Sequence, residues 1–271
     1  MALTRVFRGL VLGLLAFVAP AVGAGDDPFP GLARAYLVLH DDRVLWSHAD
    51  TEPVAPASLT KLMTALIAAE SGRLDAVTTV TAETTKAGGS AMGLAAGDRI
   101  KVRDLLSAAM IASANDACRA LAVWHSGSEA KFVVAMNRRA AELGLRDTRF
   151  RNACGFDAAG HRSTAADLAT LAAAAMKHDA IASAVRRVDL TVTTVDGRRR
   201  FTLRNRNALV GRYAGVIGVK TGYTQQAGPC VIALAVRGGH RVMLVLLGAK
   251  NRWWDAHALL DRAFSEGASA Q

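Results

Sequence analysis

Strand-patterned sequence stands at the two ends of this 271-residue chain and helix-patterned sequence fills the middle. Residues 33–46 alternate about Asp41-Asp42, with Tyr36 and Val38 before the turn and Val44 and Trp46 after it. That is the period of a β-hairpin. Strand pattern returns past Arg187, where Val188–Val195 leads through Asp196-Gly197, a hairpin turn pair, to Phe201 and Leu203. Val216–Thr221 and two strands joined at Gly238-Gly239 continue the same sheet in this reading, and Trp253–Phe264 closes as a helix. Strands at both ends must be gathered into one sheet, with the helices packed on it. The expected fold class is α+β, in three α/β/α layers: an antiparallel sheet from both chain ends, packed on helices, with an all-helical lobe.

The first 24 residues are read as leaving the fold. Arg5 and Arg8 precede an apolar run, Leu10–Val22, and Val22-Gly23-Ala24 offers the small residues of a signal-peptidase site. The run is shorter than the ~20 residues a membrane-spanning helix needs. Residues 1–24 are therefore expected to be a cleaved signal peptide and residues 25–271 a single domain. Export implies a periplasmic or extracellular protein. Losing Arg5 and Arg8 lowers the formal charge from +10 to +8, a balance suited to acidic wall polymer or, at most, peripheral contact with an anionic membrane. Nucleic acid is not an expected partner, because the chain is exported and its basic residues are dispersed. The run Arg198-Arg199-Arg200 reads as a solvated hairpin face. Three cysteines, Cys118, Cys154 and Cys230, leave at least one unpaired. Cys118, in an apolar helical stretch, reads as a small core residue. No C-x-x-C string occurs and the seven histidines show no ligand spacing, so neither a metal nor another cofactor is expected.

Within the helical block, helices are expected over 58–70, 104–111, 116–125 and 128–143, and Thr164-Ala165-Ala166-Asp167 fits a capping box before a helix running to about Lys177. Two junctions carry chemistry. Ser58 follows a loop with Pro53 and Pro56 and opens a helix, so its hydroxyl meets a positive helix end with free N–H groups. Lys61 stands one turn on, on the same face and within reach. A serine needs a base to become a nucleophile, and a lysine serves if burial or a neighbouring cation favours its neutral form. Ser113 and Asn115 lie where one helix ends and the next begins, placing two short polar side chains in apolar sequence. Ser113 then has a proton-relaying place beside Lys61, and Asn115 an amide for a substrate backbone. Lys220-Thr221-Gly222 ends the strand begun at Val216. Gly222 permits close approach, Thr221 and Thr224 offer hydroxyls, and Lys220 adds a cation that disfavours a charged Lys61.

The three strings Ser58-Leu59-Thr60-Lys61, Ser113-Ala114-Asn115 and Lys220-Thr221-Gly222, in this order, resemble the set of penicillin-binding proteins and class A β-lactamases. With Pro56–Thr64, Met110–Ala117 and Gly218–Thr224 around them, the chain resembles the low-molecular-mass D-alanyl-D-alanine carboxypeptidases, serine peptidase family S11, over roughly residues 33–264. The resemblance implies a β-lactamase/DD-peptidase-like fold and release of the terminal D-alanine from peptidoglycan stem peptides through an acyl-enzyme on Ser58. It implies Lys61 as base, Ser113 as proton relay and Asn115, Lys220, Thr221, Gly222 and Thr224 as substrate-binding residues. The backbone amides of Ser58 and Tyr223 would form the oxyanion hole. Arg252, and more weakly Arg206, match an arginine near the substrate carboxylate. β-Lactam antibiotics would be covalent inhibitors. Two departures from the family stand out: Cys154 in a loop that usually lacks cysteine, and Pro229, which removes a donor at a strand start beside the Lys220 segment.

The alternatives are a class A-like β-lactamase, a D,D-endopeptidase and a non-catalytic wall-binding protein. A lactamase needs a carboxylate on the loop after Ser113 to activate the deacylating water, and Leu145–Cys154 contains only Asp147.

Overall fold

The computed structural model describes residues 27–269. The expected signal segment, 1–24, lies outside the described residues. The chain opens with strands β1 (Ala35–His40) and β2 (Arg43–His48) and enters helix α1 (Lys61–Glu70) through a 3-10 turn at Ala57–Thr60. Short strands β3 (Val77–Thr79) and β4 (Arg99–Lys101) flank a one-turn helix α2 (Ala82–Thr85). Helices α3 (Val102–Ile111), α4 (Asn115–Ser126), α5 (Glu129–Glu142), α6 (Ala165–Met176) and α7 (Asp179–Val185) follow. Strands β5 (Asp189–Thr193), β6 (Arg200–Arg204), β7 (Val216–Thr224), β8 (Gly228–Arg237) and β9 (His240–Leu247) lead to α8 (Arg252–Ser269).

Five strands form the main antiparallel sheet in the order β2-β1-β9-β8-β7. The N-terminal hairpin thus pairs with the C-terminal strands, as strands at both chain ends require. Side chains along each strand alternate between two cores. Leu37, Ile232 and Val245 face the core shared with the helical block, while Val38, Val231 and Leu244 face Ala256, Leu259 and Leu260 of α8. Those are the three layers. Truncating a fully buried side chain such as Leu259 to alanine should cost about 2–5 kcal/mol.

The β5–β6 hairpin departs from expectation, because it forms a two-stranded sheet of its own instead of joining the main one. Val192, Phe201 and Leu203 pack on the core of the helical block, and that packing captures the hairpin. The box at Thr164 is half made: its hydroxyl accepts from the Asp167 amide, but Asp167 turns its carboxylate to Thr148 and the Asp147 amide. α2 and α7 carry no sequence signal that marks them as helices.

The cysteines differ from expectation as well. Cys118 is buried, but it pairs with Cys154 in a disulfide with Cα atoms 6.0 Å apart, leaving Cys230 free and buried. A pairing between residues 36 apart is invisible to helical periodicity. Pro229 does not disturb its neighbour: it stands opposite Tyr223, and the β7–β8 register continues unbroken from Gly228 to Leu234.

Candidate active site

The turn before α1 brings Ser58 to the surface of the sheet's edge strand. Gly155 and Gly222 pack so closely here that a Cβ on Gly155 would stand 1.9 Å from the Ala57 carbonyl oxygen, and one on Gly222 3.1 Å from the Ser58 amide nitrogen. Gly155 is also at φ +87°, so a side chain there is excluded twice over. Ser58 is half-buried, while Lys61 behind it is fully buried. The Lys61 ammonium nitrogen lies 2.8 Å from Ser58 Oγ and 2.6 Å from the Cys154 carbonyl oxygen, to which it donates. Among the described residues, no carboxylate pairs with it. Burial, and then the charge of Lys220, hold its pKa well below the ordinary lysine value.

Across the cleft, Ser113 sits in the break between α3 and α4 at φ +57°, a left-handed conformation uncommon for serine. Its hydroxyl accepts from Lys220 Nζ at 2.9 Å, and Lys220 also donates to the Thr221 carbonyl at 2.9 Å. The expected place beside Lys61 is therefore refined: the observed hydrogen-bond partner of Ser113 is Lys220. Burial, followed by the charges of Arg206 and Arg252, lowers the Lys220 pKa to about 7.

Asn115 opens α4. Its amide side chain donates to Gly88 O and its backbone N–H to Ser90 O, both at 2.7 Å. Beside it, the buried Asp116 carboxylate accepts from the amides of Met92, Gly93 and Leu94. Loop 88–94 is thus clamped as one rim of the cleft. Arg199, expected as a solvated residue, instead braces this loop through Asp98 and Gly93 O. The opposite rim is β7. Thr224 Oγ1 accepts from Ala227 N, and Arg252 donates to Gly222 O at 2.8 Å while its guanidinium stacks on Trp253.

The cleft encloses about 630 Å³. Of the residues expected from sequence, Ser58, Ser113, Asn115 and Arg206 line it, as do Thr221 to Thr224 and Arg252. Lys61 and Lys220 lie beneath it, reaching Ser58 and Ser113 from below. Sequence reasoning did not find Asp116 as a clamp or the disulfide partner Cys118. Asp147 is exposed and is not among the lining residues. One further histidine cluster exists among the described residues: His40, Asp41 and His240 hold ligand-type atoms within 4.8 Å of one another. Its members come from β1 and β9, or the turn beside them, which is why no local spacing revealed it.

A half-exposed serine against a buried lysine whose charged form is disfavoured, with a second lysine–serine pair facing it, defines a serine hydrolase that works through an acyl-enzyme. A family model described as D-alanyl-D-alanine carboxypeptidase matches residues 32–251. The D-alanyl-D-alanine carboxypeptidase DacF of Bacillus subtilis is 36% identical over 97% of this chain and 71% of its own length. DacC of Escherichia coli is 34% identical over 91% of this chain and 65% of its own length, so the chain spans less than two thirds of that relative. The crystal structure of the Streptomyces K15 DD-transpeptidase superimposes with a TM-score of 0.81 at 29% identity, covering 86% of this chain and 97% of that one. The chain belongs to the D-alanyl-D-alanine carboxypeptidase family, and it is a serine peptidase.

Among the described residues, no helix is long and apolar enough to cross a membrane.

Proposed function

We propose that the protein is an exported D-Ala-D-Ala carboxypeptidase that removes the terminal D-alanine of peptidoglycan stem peptides through an acyl-enzyme on Ser58. The observation that carries this reading is the 2.8 Å contact between Ser58 Oγ and a fully buried Lys61 with a depressed pKa. Neutral Lys61 takes the Ser58 proton as Oγ attacks the carbonyl of the penultimate D-alanine. The amides of Ser58 and Tyr223 receive the oxyanion, at the point where Gly222 lets β7 approach Ser58. Lys220 passes a proton through Ser113 to the leaving nitrogen, for which a lysine titrating near 7 is suited. Asn115 holds the peptide backbone. Thr221, Thr224, Arg252 and Arg206 surround the position of the terminal carboxylate in the cleft. Water then hydrolyses the ester: its proton passes through Ser113 to the now neutral Lys220, restoring the one given to the leaving nitrogen, as Lys61 returns its proton to Ser58 Oγ.

β-Lactams, as acylating mimics of the same peptide, label Ser58. Asp147, exposed and not lining the cleft, offers no water-activating carboxylate of the lactamase kind, so the adduct persists. The likeness to a DD-transpeptidase favours one extension: an amine of a second peptide replaces water at the ester. Residues 1–24 direct export to the periplasm or the cell exterior.

The test is mass spectrometry of wall fragments incubated with the purified protein. Loss of one alanine supports the reading, and loss of a cross-link shifts it to endopeptidase. Unchanged fragments, or a Ser58→Ala protein that still forms a covalent adduct with labelled penicillin, would overturn it.

A further inference from the structure

The Cys154 carbonyl and the disulfide behind it exchange no proton or bond with the substrate, yet the carbonyl touches Lys61. Lys61 has two hydrogen-bond partners, Ser58 Oγ and Cys154 O, and the second contact is the shorter, at 2.6 Å. Cys154 belongs to loop 152–156, whose Asn152 carboxamide oxygen accepts from the amides of Cys154, Gly155 and Phe156. Those bonds shape the loop but do not fix it to the helices around the cleft. The disulfide does: Cys118 lies on α4, one turn past Asn115, while the Cys118 and Thr64 side chains converge on the Ala153 carbonyl. Both cysteines are fully buried.

We propose that Cys154 is a positioning residue for the general base, and that the Cys118–Cys154 disulfide locks its carbonyl to the helix that carries Asn115. A neutral lysine amine has two N–H donors and one lone pair. With one N–H pinned to Cys154 O, rotation about the last carbon–nitrogen bond is restricted and the lone pair faces Ser58. The same carbonyl oxygen also stabilises the ammonium that forms as Lys61 takes the proton. This contribution has the opposite sign to that of Lys220: the carbonyl favours charged Lys61, whereas the neighbouring cation disfavours it. Of the other charged groups near this site, Arg206 and Arg252 act on Lys220, Asp116 is committed to the amides of 92–94, and Glu129 accepts from the Ala153 amide.

The inference rests on Ser58 and Lys61 being nucleophile and base. Its test reads the rate of acylation by labelled penicillin against pH, beside thermal melting, for the wild type, Cys118→Ala and the Cys118→Ala/Cys154→Ala double variant. Thiol titration of the unfolded wild type under non-reducing conditions should count one free cysteine, Cys230. Both variants should acylate about tenfold more slowly, with the rising limb of the pH profile moved to lower pH. A lock that serves only stability would lower the melting temperature and leave the limb in place. Reduction of the unsubstituted protein by dithiothreitol makes the same comparison in a chain that has already folded. In that step the dithiol closes to its cyclic disulfide as the protein disulfide takes up two electrons and two protons. Three free thiols in the wild type, or an unmoved limb with an unchanged rate in folded, disulfide-free protein, would refute the inference. The proposed function would survive that result: its nucleophile fails only if Ser58→Ala still labels, and its base only if Lys61→Met still acylates at nearly the wild-type rate.

Discussion

The two buried lysines stand on opposite sides of one cleft and are built differently. Lys61 projects from the first turn of a helix, and its neighbours are a hydroxyl and one carbonyl. Lys220 projects from the sheet's edge strand, and its neighbours are also a hydroxyl and one carbonyl. Local hydrogen bonding is therefore nearly the same, and the difference lies in the cations behind each. Lys61 is pressed toward its neutral form by burial and by Lys220 alone, whereas Lys220 faces the two arginines of the carboxylate end of the cleft. In the proposed reaction one lysine accepts a proton and the other, its pKa lowered to about 7, donates one. An arriving carboxylate would offset Arg206 and Arg252 and so raise the Lys220 pKa, charging the donor when substrate is bound.

The sharpest way to break this comparison is to remove the base. Lys61→Met keeps the length and loses the nitrogen, and acylation should fall by about a thousandfold or more. Labelling by penicillin, followed in time, measures it. A fall of less than about tenfold would mean that Lys61 is not the base.

Lys220 should respond more mildly and with a signature in pH. Lys220→Gln removes the cation that disfavours charged Lys61, so acylation should fall by about a hundredfold and its rising limb should move to higher pH. Lys220→Arg keeps a charge but not the compact ammonium, so the rising limb should stay near its original place. The wild-type falling limb, set by loss of the Lys220 proton near pH 7, should vanish or move upward in that variant. If both variants lose affinity alone and keep the wild-type limbs, Lys220 only binds.

Stability gives an independent view of the same lysine. A group whose folded pKa lies below its unfolded value near 10.5 destabilises the fold fully below the folded pKa, and not at all above the unfolded one. Between about pH 7 and 10.5 this penalty shrinks as pH rises. Lys220→Met should therefore be more stable than the wild type at pH 6, by at most a few kcal/mol after the two lost hydrogen bonds are counted. The advantage should be gone near pH 10.5. Melting temperatures at the two pH values check it, and an advantage independent of pH would mean that Lys220 is not depressed by its surroundings.

The sequence made much of this cleft legible because its chemistry sits at element boundaries. Ser58 and Lys61 are one turn apart, Ser113 and Asn115 mark a break between helices, and Lys220 ends a strand; local pattern marked these places, and the resemblance of the three strings together joined them into one site. The closing of the sheet from both chain ends was legible from the strand patterns at each end, and an unbroken apolar run such as Val242–Leu247 has two faces to cover. What escaped is set by contacts across long separations. The Ser113–Lys220 bond spans 107 residues, the Lys61–Cys154 bond 93, and the brace from Arg199 reaches Asp98. The β5–β6 hairpin was recognised, but which sheet it joins depends on which core its apolar face meets.

The smallest expected effect belongs to that brace, and it sharpens the comparison by leaving both lysines alone. Arg199 donates to the Gly93 carbonyl and to Asp98, and its guanidinium lies over the Phe201 ring. It thereby ties the β5–β6 hairpin to loop 88–98, whose other attachments include Asn115, the Asp116 carboxylate and the backbone bonds of Gly97 and Asp98 to Val80. The Asp98 pair is partly exposed, and a pair of that kind is worth little, about 0–1 kcal/mol. Arg199→Ala should then loosen one rim of the cleft without moving Ser58, Lys61, Ser113 or Lys220. The expected outcome is a two- to threefold rise in KM for a D-Ala-D-Ala peptide, equivalent to about 0.5 kcal/mol, with kcat and both limbs of the acylation profile unchanged. If kcat or a limb moves as well, loop 88–98 communicates with the lysines, and the two sides of the cleft are not independent.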